Sequence, residues 1–455
     1  MNDITAFFAF LKYCLGYKEN MSRVIAGMNW HELYSFASKQ ALLGLCFEGI
    51  ERLGEEYPKE LKRNPIGREL LMNWMGKAQQ IRRQNMKVNA VAGKLFSMLR
   101  EDGMRCCVLK GQGNALMYPN PYFRTPGDID VWIDASRERI MEYAQKKFEL
   151  EDDIRLQHLE TSLDGVPVEL HFFPCSMNNP IYHVRLQKWF RRNADLQCSH
   201  IVGLPDEAGD IAIPTTAFNV VYQLTHLYHH FFDEGIGMRQ IIDYYYVVND
   251  FSKNVFLNND LSNPSVNFSN HPVPLSKEGS TFSPSPSSSG SGDVTAPSRC
   301  SEPLRSKDGG PSKVSPDCAG WDRLAIEGDN SATAVTSSAS TALVVVQREL
   351  KYLGLWKFAG AVMYVLHEAL GLSEEKMIVP MDEKRGKLLL AEILNGGNFG
   401  RHFTKYGHFT QQGMAKKYFL KIWRNMHFVR YFPAEALSEP IFRTWHFFWR
   451  LKHRR

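Results

Sequence analysis

The chain has 455 residues, 44% of them hydrophobic and 23% charged, with a formal net charge of +5. That length and balance fit a globular protein of two or three units with a sizeable core, and they exclude a disordered or fibrous chain. The small positive charge permits contact with phosphates or RNA without requiring a nucleic-acid partner.

The first hundred residues read as helices. From Trp30 to Leu53, Leu33, Phe36, Ala37, Ala41, Leu42, Leu45, Cys46 and Ile50 fall on one face at helical spacing. A second helix is expected from about Leu70 to Leu99. The pattern then shortens. Arg105 to Leu109 reads as a buried strand, Lys110-Gly-Gln-Gly113 as a turn, and Asn114 to Tyr118 as a helix start that Pro119-Asn-Pro121 ends. Asp128 to Ile133 alternates strictly and is β-branched, a second strand. A helix is expected from Arg137 to Phe148, and a third strand over Val166 to Phe173, entered through the turn Leu163-Asp-Gly-Val166. Helical patterning returns over Thr215 to Val248.

Between residues 254 and 341 the composition collapses to Ser, Pro, Gly, Asn and Thr, with Ser283-Pro-Ser-Pro-Ser-Ser-Ser-Gly290 at its centre. Such a segment cannot bury enough apolar surface to offset its ordering entropy, so it reads as a disordered insertion between two helices of one domain. The expected organisation is therefore an α/β core over 100–214, an N-terminal helical region over 1–99, and a C-terminal helical region over 215–253 and 342–455.

The last fourteen residues interleave aromatics with bases, from Phe442 to Arg455. They read as a packed terminal helix with a solvated basic tail, the alternative being contact with RNA or a membrane surface. No apolar run approaches the roughly 18 residues that span a bilayer. The longest candidate, Phe358 to Leu366, stops at His367 and Glu368. The N-terminus lacks the basic start of a secretory signal, so a cytoplasmic protein is expected. The eight cysteines include no C-x-x-C pair, and adjacent Cys106 and Cys107 suit neither zinc nor an ordinary disulfide. Free thiols in a reducing compartment are expected.

Asp128 and Asp130 lie two apart on a strand, so both project from one face. Two close carboxylates repel unless a cation lies between them, and oxygen ligands of this kind suit Mg²⁺ or Mn²⁺. Isolated D-x-D pairs are common on solvated edges, but three neighbours raise the weight of this one. Gly111 and Gly113 let the backbone approach a phosphate at a helix start. Arg124 suits bidentate phosphate contact. Glu169 supplies a third carboxylate, with His171 on its face to orient the site or serve as a bonded structural histidine. His226, His229 and His230 share a helical face and read as buried or interface histidines. Arg239 and Asp243, four apart, read as an intrahelical ion pair.

These residues carry a resemblance. Leu109-Lys-Gly-Gln-Gly113, Leu116-Met-Tyr-Pro119, Arg124, Gly127-Asp-Ile-Asp-Val131 and Pro167-Val-Glu-Leu-His171 resemble the uncharacterised nucleotidyltransferase family of the DNA-polymerase-β-like superfamily. The likeness extends to His226-Leu-Tyr-His229, Gly235 to Asp243 and Leu353 to Ala359, so it covers most of the chain outside the Ser-rich segment. The resemblance implies a small mixed-sheet polymerase-β-like core. It implies transfer of a nucleoside monophosphate from a triphosphate such as ATP to a hydroxyl-type acceptor, which is a protein, RNA or a small molecule. It assigns Asp128, Asp130 and Glu169 to the metal, with Glu169 also the candidate base. Lys110, Gly111, Gly113, Arg124 and His171 are its nucleotide contacts. The chain departs from the wider superfamily in having a Lys-Gly turn where Gly-Ser or Gly-Gly is usual. Two rival readings stand beside this one: a catalytically degenerate binding protein of the same fold, and a D-x-D glycosyltransferase using a nucleotide-sugar.

Overall fold

Four short strands position everything that follows. The computed structural model describes residues 3–150, 155–257, 334–403 and 414–453. Strands β1 (Cys106–Val108), β2 (Ile129–Ile133), β3 (His158–Leu163) and β4 (Val166–His171) form one mixed sheet in the order β1-β2-β4-β3. β1 with β2 and β3 with β4 are antiparallel, and β2 with β4 is parallel.

Because side chains alternate along a strand, each strand divides its residues between two faces. Val108, Ile129, Val131, Leu159, Val168 and Leu170 turn to one core, shared with Val88, Leu95 and Leu99 of the long helix Arg68–Glu101. Cys107, Leu109 and Trp132 turn the other way, into a larger core built from helices. There Trp132 stacks over Phe218 with ring centroids 6.4 Å apart. The helices of this second core, Thr216–Asp233 and Met238–Leu257, are apolar on nearly every side, as fully enclosed helices are. The described residues belong to one compact unit formed by chain from both sides of 260–333.

Several expected elements differ in extent. The stretch Trp30 to Leu53 is two helices, Trp30–Lys39 and Leu43–Glu56, separated by Ala41 at φ 57°. Long-range bonds hold that break: Gln40 Nε2 donates to Ile393 O at 3.1 Å, and Thr125 Oγ1 donates to Ala41 O at 2.7 Å. The stretch Thr215 to Val248 also divides, into Thr216–Asp233 and Met238–Leu257, at a turn containing Gly235 with φ +108°. A Cβ there would lie 2.9 Å from Phe403 Cε2, so the turn needs glycine.

Strand β3, the helix Pro180–Ser199 and the hairpin of β5 (Ile201–Gly203) and β6 (Asp210–Ala212) are absent from the expected elements. β3 enters β4 through Asp164 and Gly165, both at positive φ, the two-residue turn that matches strand twist. Both ends of the segment expected as an insertion, 254–341, are helical. The helix Met238–Leu257 runs past 254 and the helix Ala334–Tyr352 begins before 341, while residues 258–333 lie outside the described residues. No helix among the described residues is long and apolar enough to cross a membrane. The terminal helix Pro433–His453 buries Glu435 and Glu439 against the body, while Ile441 and Phe448 stay exposed.

Candidate functional site

The register of the sheet gathers the polar side chains of its second face. Asp130 pairs with Glu169 across β2 and β4, and Glu169 with Glu160 across β4 and β3. One row further on, Trp132, His171 and His158 are neighbours in the same way. Asp128, two positions before Asp130, shares this parity just ahead of the strand. Oxygens of Asp128, Asp130 and Glu169 all lie within 4.8 Å of one another. The three acids expected to act together are therefore together.

Cations of the chain already surround them. Lys110 Nζ is 3.2 Å from Asp130 Oδ1, and His171 Nε2 is 3.1 Å from both Asp130 Oδ1 and Glu169 Oε2. Burial works against the Lys110 ammonium, yet the charges of Asp130, Asp128 and Glu169 outweigh it and raise its pKa. Burial likewise opposes the His171 imidazolium, but its bonds to Asp130 and Glu169 lift it to about 9. Burial raises Glu169, and His171 more than reverses this, bringing it down to about 2. Asp130 is 2% exposed, and its Oδ2 is buried with no hydrogen-bond partner. An orphaned carboxylate oxygen costs stability unless something else binds it.

The cluster forms the floor of an open cleft of about 670 Å³. The helix Thr216–Asp233 supplies one wall. Lys110 Nζ is 3.1 Å from His226 Nε2, which is 3.1 Å from His230 Nε2. Burial, reinforced by the nearby Lys110 charge, pushes His226 well below its usual value, and burial with the charge of His229 brings His230 to about 3. The histidine triplet, expected to be buried or at an interface, is enclosed and lines one wall of the cleft. Arg155, Arg401 and Lys421 bring positive charge to the rim, although Arg155 also pairs with Glu160 at 2.6 Å and Lys421 with Asp233 at 3.0 Å.

Two expected phosphate contacts have other work. Arg124 is 3% exposed, and its Nε and Nη2 each donate to Asp243 at 2.8 Å. Tyr118 Oη adds a third bond to that carboxylate at 2.7 Å. Asp243 therefore pairs with Arg124 and not with Arg239, which corrects the expected intrahelical pair. Arg239 instead reaches the cleft. Its Nη1 donates to Thr125 O at 3.1 Å, and its Nε has no hydrogen-bond partner. Gly113 is a packing position, since a Cβ there would meet Ile213 Cγ2 at 2.8 Å. Gly111 does occupy the left-handed region, at φ +63°, but the helix it opens is only Gln112–Ala115. A single turn has little aligned dipole to offer an anion.

Among the cleft residues that sequence reasoning did not assign to the site are His158 and Arg239, beside the rim cations Arg155, Arg401 and Lys421. The parity of His158 with Glu160 would have placed it on the acidic face once β3 was recognised. Arg239 had no comparable local signal, because its competitor for Asp243 is far away in the chain.

The family model of uncharacterised nucleotidyltransferases matches residues 26–262, a span that contains Asp128, Asp130, Glu169, Lys110 and Arg239. No curated protein and no solved structure matches the chain. The match takes in more than half of the sequence and every strand of the acidic sheet, and the chain belongs to this nucleotidyltransferase family.

Proposed function

We propose that the protein moves a nucleoside monophosphate from a nucleoside triphosphate to a hydroxyl-type acceptor and releases pyrophosphate. The observation that carries this reading is the convergence of Asp128, Asp130 and Glu169 within 4.8 Å, with Asp130 Oδ2 buried and unbonded. Three crowded carboxylates and an orphaned oxygen fit a hard divalent cation, Mg²⁺ or Mn²⁺. Bound there, such a cation polarises phosphoryl oxygens and offsets their charge.

The remaining work belongs to the chain. Lys110 and Arg239 face the cleft and attract the triphosphate, and Gly111 lets the backbone approach it. Glu169 receives the proton of the acceptor hydroxyl as its oxygen bonds to the α-phosphorus. The bond from that phosphorus to the bridging oxygen breaks, and pyrophosphate leaves with the electron pair. His171 orients Asp130 and Glu169 through its two bonds. We read the sheet as a polymerase-β-like core because its acids lie on the adjacent strands β2 and β4 behind the Lys-Gly turn. The division into regions 1–99, 100–214 and 215–253 with 342–455 is proposed on the same ground.

One observation favours a second reading. Lys110 and His171 already neutralise Asp130 and Glu169, an arrangement that suits a protein of this fold that binds nucleotide without transferring it. Mg²⁺-dependent binding of the four ribonucleoside triphosphates, compared with an Asp128→Ala, Asp130→Ala double variant, tests the site. Tight binding lost in the folded variant is expected, and incorporation of labelled nucleotide then separates catalysis from binding alone. Binding of a nucleotide-diphosphate sugar in preference to every triphosphate would move the assignment to glycosyl transfer.

A further inference from the structure

Glu169 belongs to two clusters. Besides the carboxylate triad, it joins His158 and His171 in a set whose ligand atoms also lie within 4.8 Å of one another. The antiparallel register places His158 directly opposite His171 on the same face, with ring centroids 4.9 Å apart.

His158 marks this cluster as more than a group of neighbours. The residue is 8% exposed, and neither buried ring nitrogen has a hydrogen-bond partner. Glu169 Oε2 lies 3.4 Å from its Nδ1, and Glu160 Oε1 lies 3.5 Å from its Nε2. The ring borders both the main cleft and an adjoining cavity of about 160 Å³. Buried imidazoles ordinarily bond on at least one side. Here each ring nitrogen faces a carboxylate without a hydrogen bond to it, and the ring lies against a second imidazole.

We propose that His158, Glu169 and His171 form a second cation site, sharing Glu169 with the carboxylate triad, that takes a transition-metal ion such as Zn²⁺, Co²⁺ or Mn²⁺ in preference to Mg²⁺. The site rests on the nucleotidyltransferase reading only through the shared Glu169. Imidazole nitrogen is a good donor to first-row transition metals, whereas Mg²⁺ prefers an octahedron of oxygens and keeps its waters. The ion takes the place of the proton on His171 Nε2, which leaves to solvent.

The test uses the full chain after chelator treatment. Co²⁺ titration followed by visible absorption, and pulsed electron paramagnetic resonance of the Mn²⁺-loaded protein, both report nitrogen donors. Saturable Co²⁺ binding with nitrogen-type bands is expected, and His158→Gln should weaken it at least about tenfold. The Mn²⁺ spectrum of the wild type should show two coupled imidazoles, which decides the matter even if His158→Gln fails to fold. Oxygen-only coordination, or identical Co²⁺ spectra and affinity in the folded variant, would overturn the inference. Mg²⁺-dependent triphosphate binding by the wild type is measured alongside. If it persists without nitrogen coordination, only this second site fails. If it is absent too, the triad reading fails with it.

Discussion

Arg124 and Arg239 exchange the roles that their places in the chain suggest. Arg124 sits among the motif residues yet is closed into a buried bidentate pair with Asp243. Burial disfavours the Asp243 carboxylate, and Arg124 more than compensates, holding it below its usual range. Removing one partner of such a pair leaves the other charge buried and costs about 3–5 kcal/mol. Arg124→Ala is therefore expected to lower the denaturation midpoint markedly. Arg239→Ala, which removes no ion pair with Asp243, should weaken triphosphate binding about tenfold, the worth of one charge-assisted bond, with a smaller change in midpoint. The opposite pattern in equilibrium unfolding and binding titrations would return phosphate contact to Arg124. At this scale the acids were legible, because period-two alternation alone puts Asp128 with Asp130 and Glu169 with His171. The partner of Arg124 was not, because nothing local links positions 124 and 243.

The helix Thr216–Asp233 shows what an element adds to its residues. Helical spacing places His226 and His230 on one face, and only packing against the sheet turns that face into a cleft wall beside Lys110. Burial comes first among the causes that lower both rings, to about 3 for His230. In the unfolded chain they take up protons near their ordinary value of about 6.5, while in the folded protein they do not. The unfolded state then binds more protons, so this contribution is present above about pH 6.5 and is lost as pH falls toward the folded pKa. Each ring should remove roughly 1.4 kcal/mol per pH unit inside that window. Melting temperatures between pH 7 and 4 should fall, and His230→Gln should fall less steeply. An unchanged slope would show that His230 titrates normally. Periodic helices such as Arg68–Glu101 were legible as elements. The break at Ala41 and strand β3 were not, since one depends on bonds to Thr125 and Ile393 and the other has a largely polar sequence.

Across the whole molecule, the chain beyond the family match completes the cleft. Asp233 bonds Lys421 Nζ at 3.0 Å and Arg443 Nη2 at 2.9 Å, tying two C-terminal helices to the end of the histidine helix. Burial opposes the Asp233 carboxylate, but Lys421 and Arg443 hold it well below its usual pKa. Asp233→Asn should speed hydrogen exchange in the helix Pro433–His453 while leaving the sheet β1–β4 protected. Equal loosening of both would mean that the terminal helices and the sheet open as one unit. The acidic strands, the turn before them and the family were legible in the residues alone, because these depend on parity, glycine content and residues close in the chain. Only the packed chain sets which arginine faces the cleft and that the C-terminal helices reach the rim. Each of these depends on burial and charge pairing between residues far apart in sequence, where only the packed chain sets the distance.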